Sequence, residues 1–221
     1  MTNQSQAKRG LLFRVLTLIS IGLIATTYFS PLWQVWLDAP QYPADLYPAG
    51  IRILFYPNAV KNGCPQSNST EISQTETVDC VSEMDVINHF IGMEAISRGA
   101  QVELAIAPYA FIFVGVLLFV FLFYRGKLWW LLPLPGILAP AIFIVDFSAW
   151  LWWFGHHLKP TGAFTVKPFM PTVFGDSKVA QFGTHSFPDY GFALWAASAL
   201  ILIVALLLRR KQLREDRGAQ S

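Results

Sequence analysis

Soft and borderline metal ligands are the residues in this chain that could do chemistry, and they are unevenly spread. The histidines are His89, His156, His157 and His185, and the cysteines are Cys64 and Cys80. Past the initiator, the methionines are Met84, Met93 and Met170. All of them fall within residues 30–103 and 155–189, two segments flanked by apolar runs. Imidazole combined with thioether suits copper, above all Cu(I), whereas Zn²⁺ draws on more imidazole, thiolate or carboxylate.

The sharpest pattern is Asp85-Val86-Ile87-Asn88-His89-Phe90-Ile91-Gly92-Met93. Asp85, His89 and Met93 are four residues apart, so a helix running through them stacks the three on one face. His89 and Met93 would then point at one ion. Asp85 or Asn88 would orient the imidazole through its other ring nitrogen, and Gly92 would let another backbone come close. The plainer alternative is that His89 and Met93 only pack. Further ligands would come from His156, His185 or Met170, which lie in segments of similar height. Asp146 precedes the Trp150-Leu151-Trp152-Trp153-Phe154-Gly155-His156-His157 run near the end of an apolar stretch. A carboxylate at that depth is costly unless paired, so it supports a site by default. Cys64 and Cys80 bracket a Ser/Thr/Asn-rich stretch. A disulfide staple is the first reading in an oxidising compartment, and a thiolate metal site is the second.

These residues need elements to position them. The chain has 221 residues, is 54% hydrophobic and only 14% charged, against about 25% charge in soluble domains. Its apolar residues come in blocks. Four spans can be drawn over residues 11–29, 104–124, 128–145 and beyond, and 190–208. Each approaches the roughly 20 residues needed to cross the hydrocarbon. Residues 30–33 (Ser-Pro-Leu-Trp) offer no small-x-small cleavage site, so the first span reads as an uncleaved anchor. Lys8, Arg9, Arg14, Arg125, Lys127, Arg209, Arg210, Lys211, Arg214 and Arg217 all fall on one side with two acids, Glu215 and Asp216. The positive-inside rule makes that side cytoplasmic, together with both termini. Trp33, Trp36, Trp150, Trp152 and Trp153 mark the outer interface, and Trp129 and Trp130 the inner one.

The expected fold is therefore an all-α integral membrane protein. It has four transmembrane helices and a small extracytoplasmic subdomain of short β-strand, disulfide loop and amphipathic helix between spans one and two. The division is 1–30 for the cytoplasmic tail and first helix, 31–103 for the subdomain, and 104–154 for helices two and three. Residues 155–189 form an outer loop, and 190–221 the last helix and basic tail. Within the subdomain, residues 51–56 read as a strand. Ser82 with Asp85 reads as a capping-box start to a helix that stops at Gly99. The segment 155–189, rich in Pro, Gly and Phe, reads as loop.

A net charge of +2 without long basic stretches argues against nucleic-acid binding. There is no dinucleotide fingerprint, P-loop, HExxH motif, haem-attachment motif or serine elbow. No catalytic or organic-cofactor residues stand out, which favours binding over catalysis.

Four strings together resemble a known group: Ala39-Pro40-Gln41-Tyr42-Pro43, Ile87-Asn88-His89-Phe90-Ile91-Gly92-Met93, Gly155-His156-His157-Leu158-Lys159-Pro160 and Lys167-Pro168-Phe169-Met170-Pro171. They look like segments of a small polytopic bacterial membrane protein family found with copper-enzyme maturation genes, those of nitrous-oxide reductase in particular. The resemblance covers roughly residues 36–188. It implies copper as the metal, a bacterial inner-membrane location, and His156 rather than His157 as the ligand of the pair. The expectation is a membrane-anchored copper-binding or copper-delivery factor with a periplasmic site. Its partners would be the bilayer and a periplasmic copper enzyme or other membrane subunits. The alternatives are a membrane enzyme or electron-transfer subunit acting on a quinol or small gas, and a scaffold subunit of a larger complex.

Overall fold

The computed structural model describes residues 3–38, 40–43, 47–65, 78–163, 165–179 and 182–218. Ala39, Gln181 and the polar disulfide loop, 66–77, lie outside the described residues. Four helical stretches are long and apolar enough to cross a membrane: Gln6–Tyr28, Gln101–Phe121, Trp129–His156 and Tyr190–Glu215. The elements belong to α1 (Asn3–Tyr28), α3 (Gln101–Phe121), α4 (Leu134–His156, preceded by a 3-10 turn at Trp129–Leu131) and α5 (Tyr190–Gly218), with α2 (Cys80–Phe90) a short helix apart from them. The chain divides into two compact units.

The helical unit comprises Met1–Ser30, Ile106–Phe143 and Tyr190–Ser221. Lipid gives no hydrophobic drive for helices to associate, so small residues and hydroxyls do that work. Ser20 donates to the Leu16 carbonyl at 3.0 Å and reaches the Ser198 carbonyl of α5 at 3.4 Å. Thr27 does the same with Leu23 at 2.9 Å and Gly191 at 3.5 Å. Ser198, Ala199 and Ala205 are buried on α5. At one end Phe13 meets Phe121 edge to face, with 5.1 Å between centroids. Buried Arg209 donates to the Tyr124 carbonyl at 3.0 Å, with its guanidinium 4.8 Å above the Phe13 ring. The Tyr124 carbonyl follows the end of α3, where orphan acceptors need partners, and Arg209 supplies one.

The second unit, Pro31–Ala105 with Ile144–Asp189, overturns the all-α expectation. It contains a five-stranded antiparallel sheet of order β3-β2-β1-β5-β4. The strands are β1 (Trp33–Asp38), β2 (Ile51–Tyr56), β3 (Ala59–Asn62), β4 (Gly175–Val179) and β5 (Phe182–Pro188). Strand β2 lies where its apolar run places it. The others carry no comparable local signal. In β1 the tryptophans Trp33 and Trp36 read as a membrane belt, although Trp33 is 3% exposed and packs in the sheet core. Strands β4 and β5 sit in the segment taken for loop, and β5 pairs with β1 across two intervening spans, with Trp36 opposite His185. Nothing local in either segment announces a partner so distant in sequence.

Strand alternation gives the sheet two faces. One carries Trp33, Leu37, Ile51 and Ile53, all buried, and the last three pack with Cys80, Met84, Ile87 and Ile96. Ile51 and Ile53 are almost wholly enclosed, and burying each side chain contributes roughly 1.5–3 kcal/mol. The Trp33 indole donates to Ser186 Oγ at 2.8 Å, and that hydroxyl donates to the Val173 carbonyl at 2.8 Å. Trp33 and Phe55 also touch Phe147, with centroids 5.5 and 5.2 Å away. The other face presents Gln34, Trp36, Asp38, Arg52, His185, Phe187, Asp176 and Lys178, since register places these residues in matching rows.

Helix α2 differs at both ends from the sequence expectation. Asp79, not Ser82, caps it, accepting from the Val81 and Ser82 amides. It ends at Phe90, well short of Gly99, because Gly92 takes φ +78°. The Gly92 amide then donates to the His89 carbonyl at 3.1 Å and the Met93 amide to the Asn88 carbonyl at 2.8 Å, the bond pair of a Schellman termination. Cys64, just past β3, is joined to Cys80 at the start of α2 by a disulfide.

Candidate functional site

The early stop of α2 dissolves the proposed stack of Asp85, His89 and Met93. Met93 lies beyond the helix and is buried at 9% exposure, whereas His89 is exposed at the end of the helix. Asp85 does not orient His89. Its carboxylate accepts from the Ile96 and Ser97 amides at 2.6 and 3.4 Å, and from the Ser97 hydroxyl at 2.6 Å. That caps the 3-10 turn Ile96–Arg98. Asn88 is buried, and its backbone carbonyl serves the termination described above.

A different set of contacts gathers the sequence motifs. The Gly92 carbonyl accepts from the Lys159 amide at 2.7 Å. A Cβ on Gly92 would stand 2.4 Å from the Lys159 carbonyl oxygen, and one on Gly162 would stand 2.7 Å from the Gly92 nitrogen. Lys159 also bonds and pairs with Glu94, and that hydrogen-bonded ammonium holds the Glu94 carboxyl below the usual carboxylate range. On the far side of the same loop, the Gly155 carbonyl accepts from the Phe169 amide at 3.1 Å. A Cβ on Gly155 would collide with the Phe169 carbonyl, 1.9 Å away. Three of the four quoted strings, around Gly92-Met93, Gly155–Lys159 and Phe169-Met170-Pro171, therefore form one backbone-to-backbone junction.

His156 and His157 stand at this junction on the last turn of α4 and just beyond it. His156 Nδ1 bonds the Trp152 carbonyl at 2.8 Å, and its ring stacks on the Trp152 indole, with centroids 4.5 Å apart. His157 repeats the arrangement with Trp153 at 2.9 and 4.8 Å. A ring that donates Nδ1–H to a carbonyl keeps its lone pair on Nε2, the tautomer suited to ligate a metal through that atom. Both histidines are exposed, and so is Met170, one residue past the Phe169 contact. The Trp150 indole, one turn along α4 from Asp146, donates to Glu103 at 3.3 Å, and the histidine Nδ1 atoms are engaged as above.

His185 belongs to a separate cluster on the outer sheet face. Its Nδ1 meets Asp176 at 2.5 Å and its Nε2 meets Asp38 at 3.0 Å. The ring stacks on Trp36 at 5.0 Å between centroids, 11° from parallel. Both ring nitrogens are thus taken by carboxylates, so the expectation of His185 as a metal ligand does not fit this geometry. Strand register builds the cluster, with Asp176 directly opposite His185 and Asp38 two residues beyond its partner Trp36. The sequence marks Trp36 only as an interfacial anchor and singles out neither Asp38 nor Asp176, because the pairing of β1 and β4 with β5 that gives them one face joins distant segments.

Among the described residues, no group of three or more His, Cys, Asp or Glu is arranged to hold a metal ion. The cysteines are oxidised to one another, so the thiolate site does not arise. In comparisons with known proteins, no family model matches the chain and no curated protein matches it.

Proposed function

We propose that this protein is a membrane-anchored copper-handling factor, and that its sheet-bearing unit presents a Cu(I) site outside the cytoplasm with His156 Nε2 and Met170 Sδ as the principal donors. The observation that carries the reading is the fixed tautomer of His156. Its Nδ1 is spent on the Trp152 carbonyl, leaving Nε2 of an exposed ring to ligate, next to Gly155, whose carbonyl holds the Phe169 amide one residue before Met170. Imidazole with thioether is a soft, low-coordination set that favours Cu(I) over Zn²⁺. An exposed site with few donors fits a protein that receives and passes on an ion rather than one that retains it. His89 and Met93 become the support, through the α2 terminus docked on Lys159. The recipient would be a periplasmic copper enzyme or another membrane subunit.

The reading requires a bacterial inner membrane and cytoplasmic termini, an orientation that the basic clusters support. Reporter fusions at Gly63 and Gly162 should read outside and one at Gly126 inside. The site itself is tested by Cu(I) competition titration of the full chain in detergent. Losing a donor should weaken binding by more than the roughly 10–100-fold typical of a lost supporting contact. His156→Ala and Met170→Leu should both do so, while His89→Ala should change little. Unchanged affinity in both donor variants would end this assignment.

A further inference from the structure

We propose that the basic end of the helical unit is a binding site for the headgroups of anionic phospholipid. Helix α5 is apolar to Leu208 and then carries Arg209, Arg210, Lys211 and Arg214 within two turns. Arg209 turns inward, and its bond to the Tyr124 carbonyl with its seat over Phe13 fastens α1, α5 and the turn after α3 to one another. That fixes the relative places of the basic groups that stay exposed. They are Lys8 and Arg14 on α1, Arg125 and Lys127 on the turn, and Arg210, Lys211 and Arg214 on α5. The acid Glu215 does not neutralise them, because Arg9 takes it at 2.6 Å.

The same elements carry exposed apolar side chains next to this cluster, among them Leu11, Val15, Phe123, Val204 and Leu207. Cations beside apolar surface match a molecule with an anionic phosphate and acyl chains. A soluble polyanion would use only the cations. The proposal stands independently of the copper site, which lies in the other unit.

Each Lys or Arg near an anionic membrane surface is worth about 1 kcal/mol, or roughly fivefold in affinity. The test uses the full chain in neutral detergent, with bound lipids counted by native mass spectrometry. Phosphatidylglycerol and phosphatidylcholine of identical acyl chains are titrated against wild type and against R210Q/K211Q/R214Q. Wild type should prefer phosphatidylglycerol by at least a hundredfold. The triple variant should lose about a hundredfold in affinity for that lipid and none for phosphatidylcholine, while K61Q/K178Q on the sheet should behave as wild type. If the triple variant fails to fold, added salt replaces it: the wild-type preference should collapse between roughly 0.05 and 0.5 M as the Debye length shrinks. Equal binding of the two lipids, a triple variant or high-salt sample with intact preference, or full displacement by soluble glycerophosphate would each overturn the proposal.

Discussion

Replacing Gly92 by alanine isolates the contact on which the junction depends. Gly175 provides the control, because it also has positive φ, +95° against +78°, but has no atom within 4 Å of a built Cβ. At either position alanine must enter the left-handed region, which costs about 1–2 kcal/mol. Both gain about 0.4–1 kcal/mol from a less flexible unfolded chain. Gly175→Ala should therefore lose only about 0.5–1 kcal/mol. At Gly92 the new methyl would also sit 2.4 Å from the Lys159 carbonyl oxygen, a backbone atom that no rotamer can move. The two strands of chain must separate, and the 2.7 Å bond from the Lys159 amide to the Gly92 carbonyl goes with them. Leaving those groups unsatisfied adds about 1–3 kcal/mol, for a total of roughly 2–4. With about 2–4 °C per kcal/mol for a chain of this size, the apparent Tm in detergent should fall by about 10 °C for Gly92→Ala and about 2 °C for Gly175→Ala. Cu(I) affinity should drop in the first and hold in the second. Equal shifts in the two variants would show that φ alone matters and that the docking of α2 on Lys159 carries no weight.

Oxidised protein should expose no free thiol after denaturation, and reduction should cost roughly 3 kcal/mol for a loop of this length. Full thiol labelling of fresh protein would refute the Cys64–Cys80 bridge. Arg209→Met keeps bulk but removes the donor to Tyr124, so it should cost about 1.5–3 kcal/mol by thermal scan. Exposed Arg210→Met should stay within about 0.5. Similar losses at both would place Arg209 among the merely solvated cations. The Tyr42 phenol is pushed up to about 12 by burial first and by its 3.1 Å bond to Glu83 second. The folded state thus favours its neutral form. The stability this contributes is complete below the unfolded phenol value of about 10, and is lost as pH climbs through about 12. In an alkaline titration followed by tyrosinate absorbance, Tyr42→Phe should delete the latest step, and a step that persists would assign it to another tyrosine.

The sequence revealed what is coded locally and hid what is not. The four spans were legible because an apolar block some 20 residues long has one dominant solution in lipid. The strand at Ile51–Tyr56 was legible from its own apolar, β-branched run, and the disulfide from an isolated pair of cysteines flanking a polar loop. The sheet was not, because its central pairing joins Trp33–Asp38 to Phe182–Pro188, segments that neither share a pattern nor lie near each other in sequence. The misreading of Trp33 has the same origin. A tryptophan beside a span looks like an interfacial anchor until a distant strand encloses it.

The candidate site teaches a narrower lesson about spacing. An i, i+4 argument for His89 and Met93 assumes that the helix continues, yet the glycine between them ends it. Gly92 was rightly expected to admit another backbone, and that expectation conflicts with an unbroken ligand face. A left-handed glycine with two orphan carbonyls behind it is a helix terminus, and the chain that approaches it does so because the helix has stopped. On the proposed reading the glycine shifts the candidate donors from α2 to the far ends of the loop it receives. Just before that loop, at the end of α4, a second close approach holds the Phe169 backbone against Gly155, which is next to His156 as Phe169 is next to Met170. On the proposed reading the donors His156 and Met170 lie outside α2, on segments held by the Gly92–Lys159 and Gly155–Phe169 contacts, so a substitution at either glycine should disturb metal binding without touching a ligand.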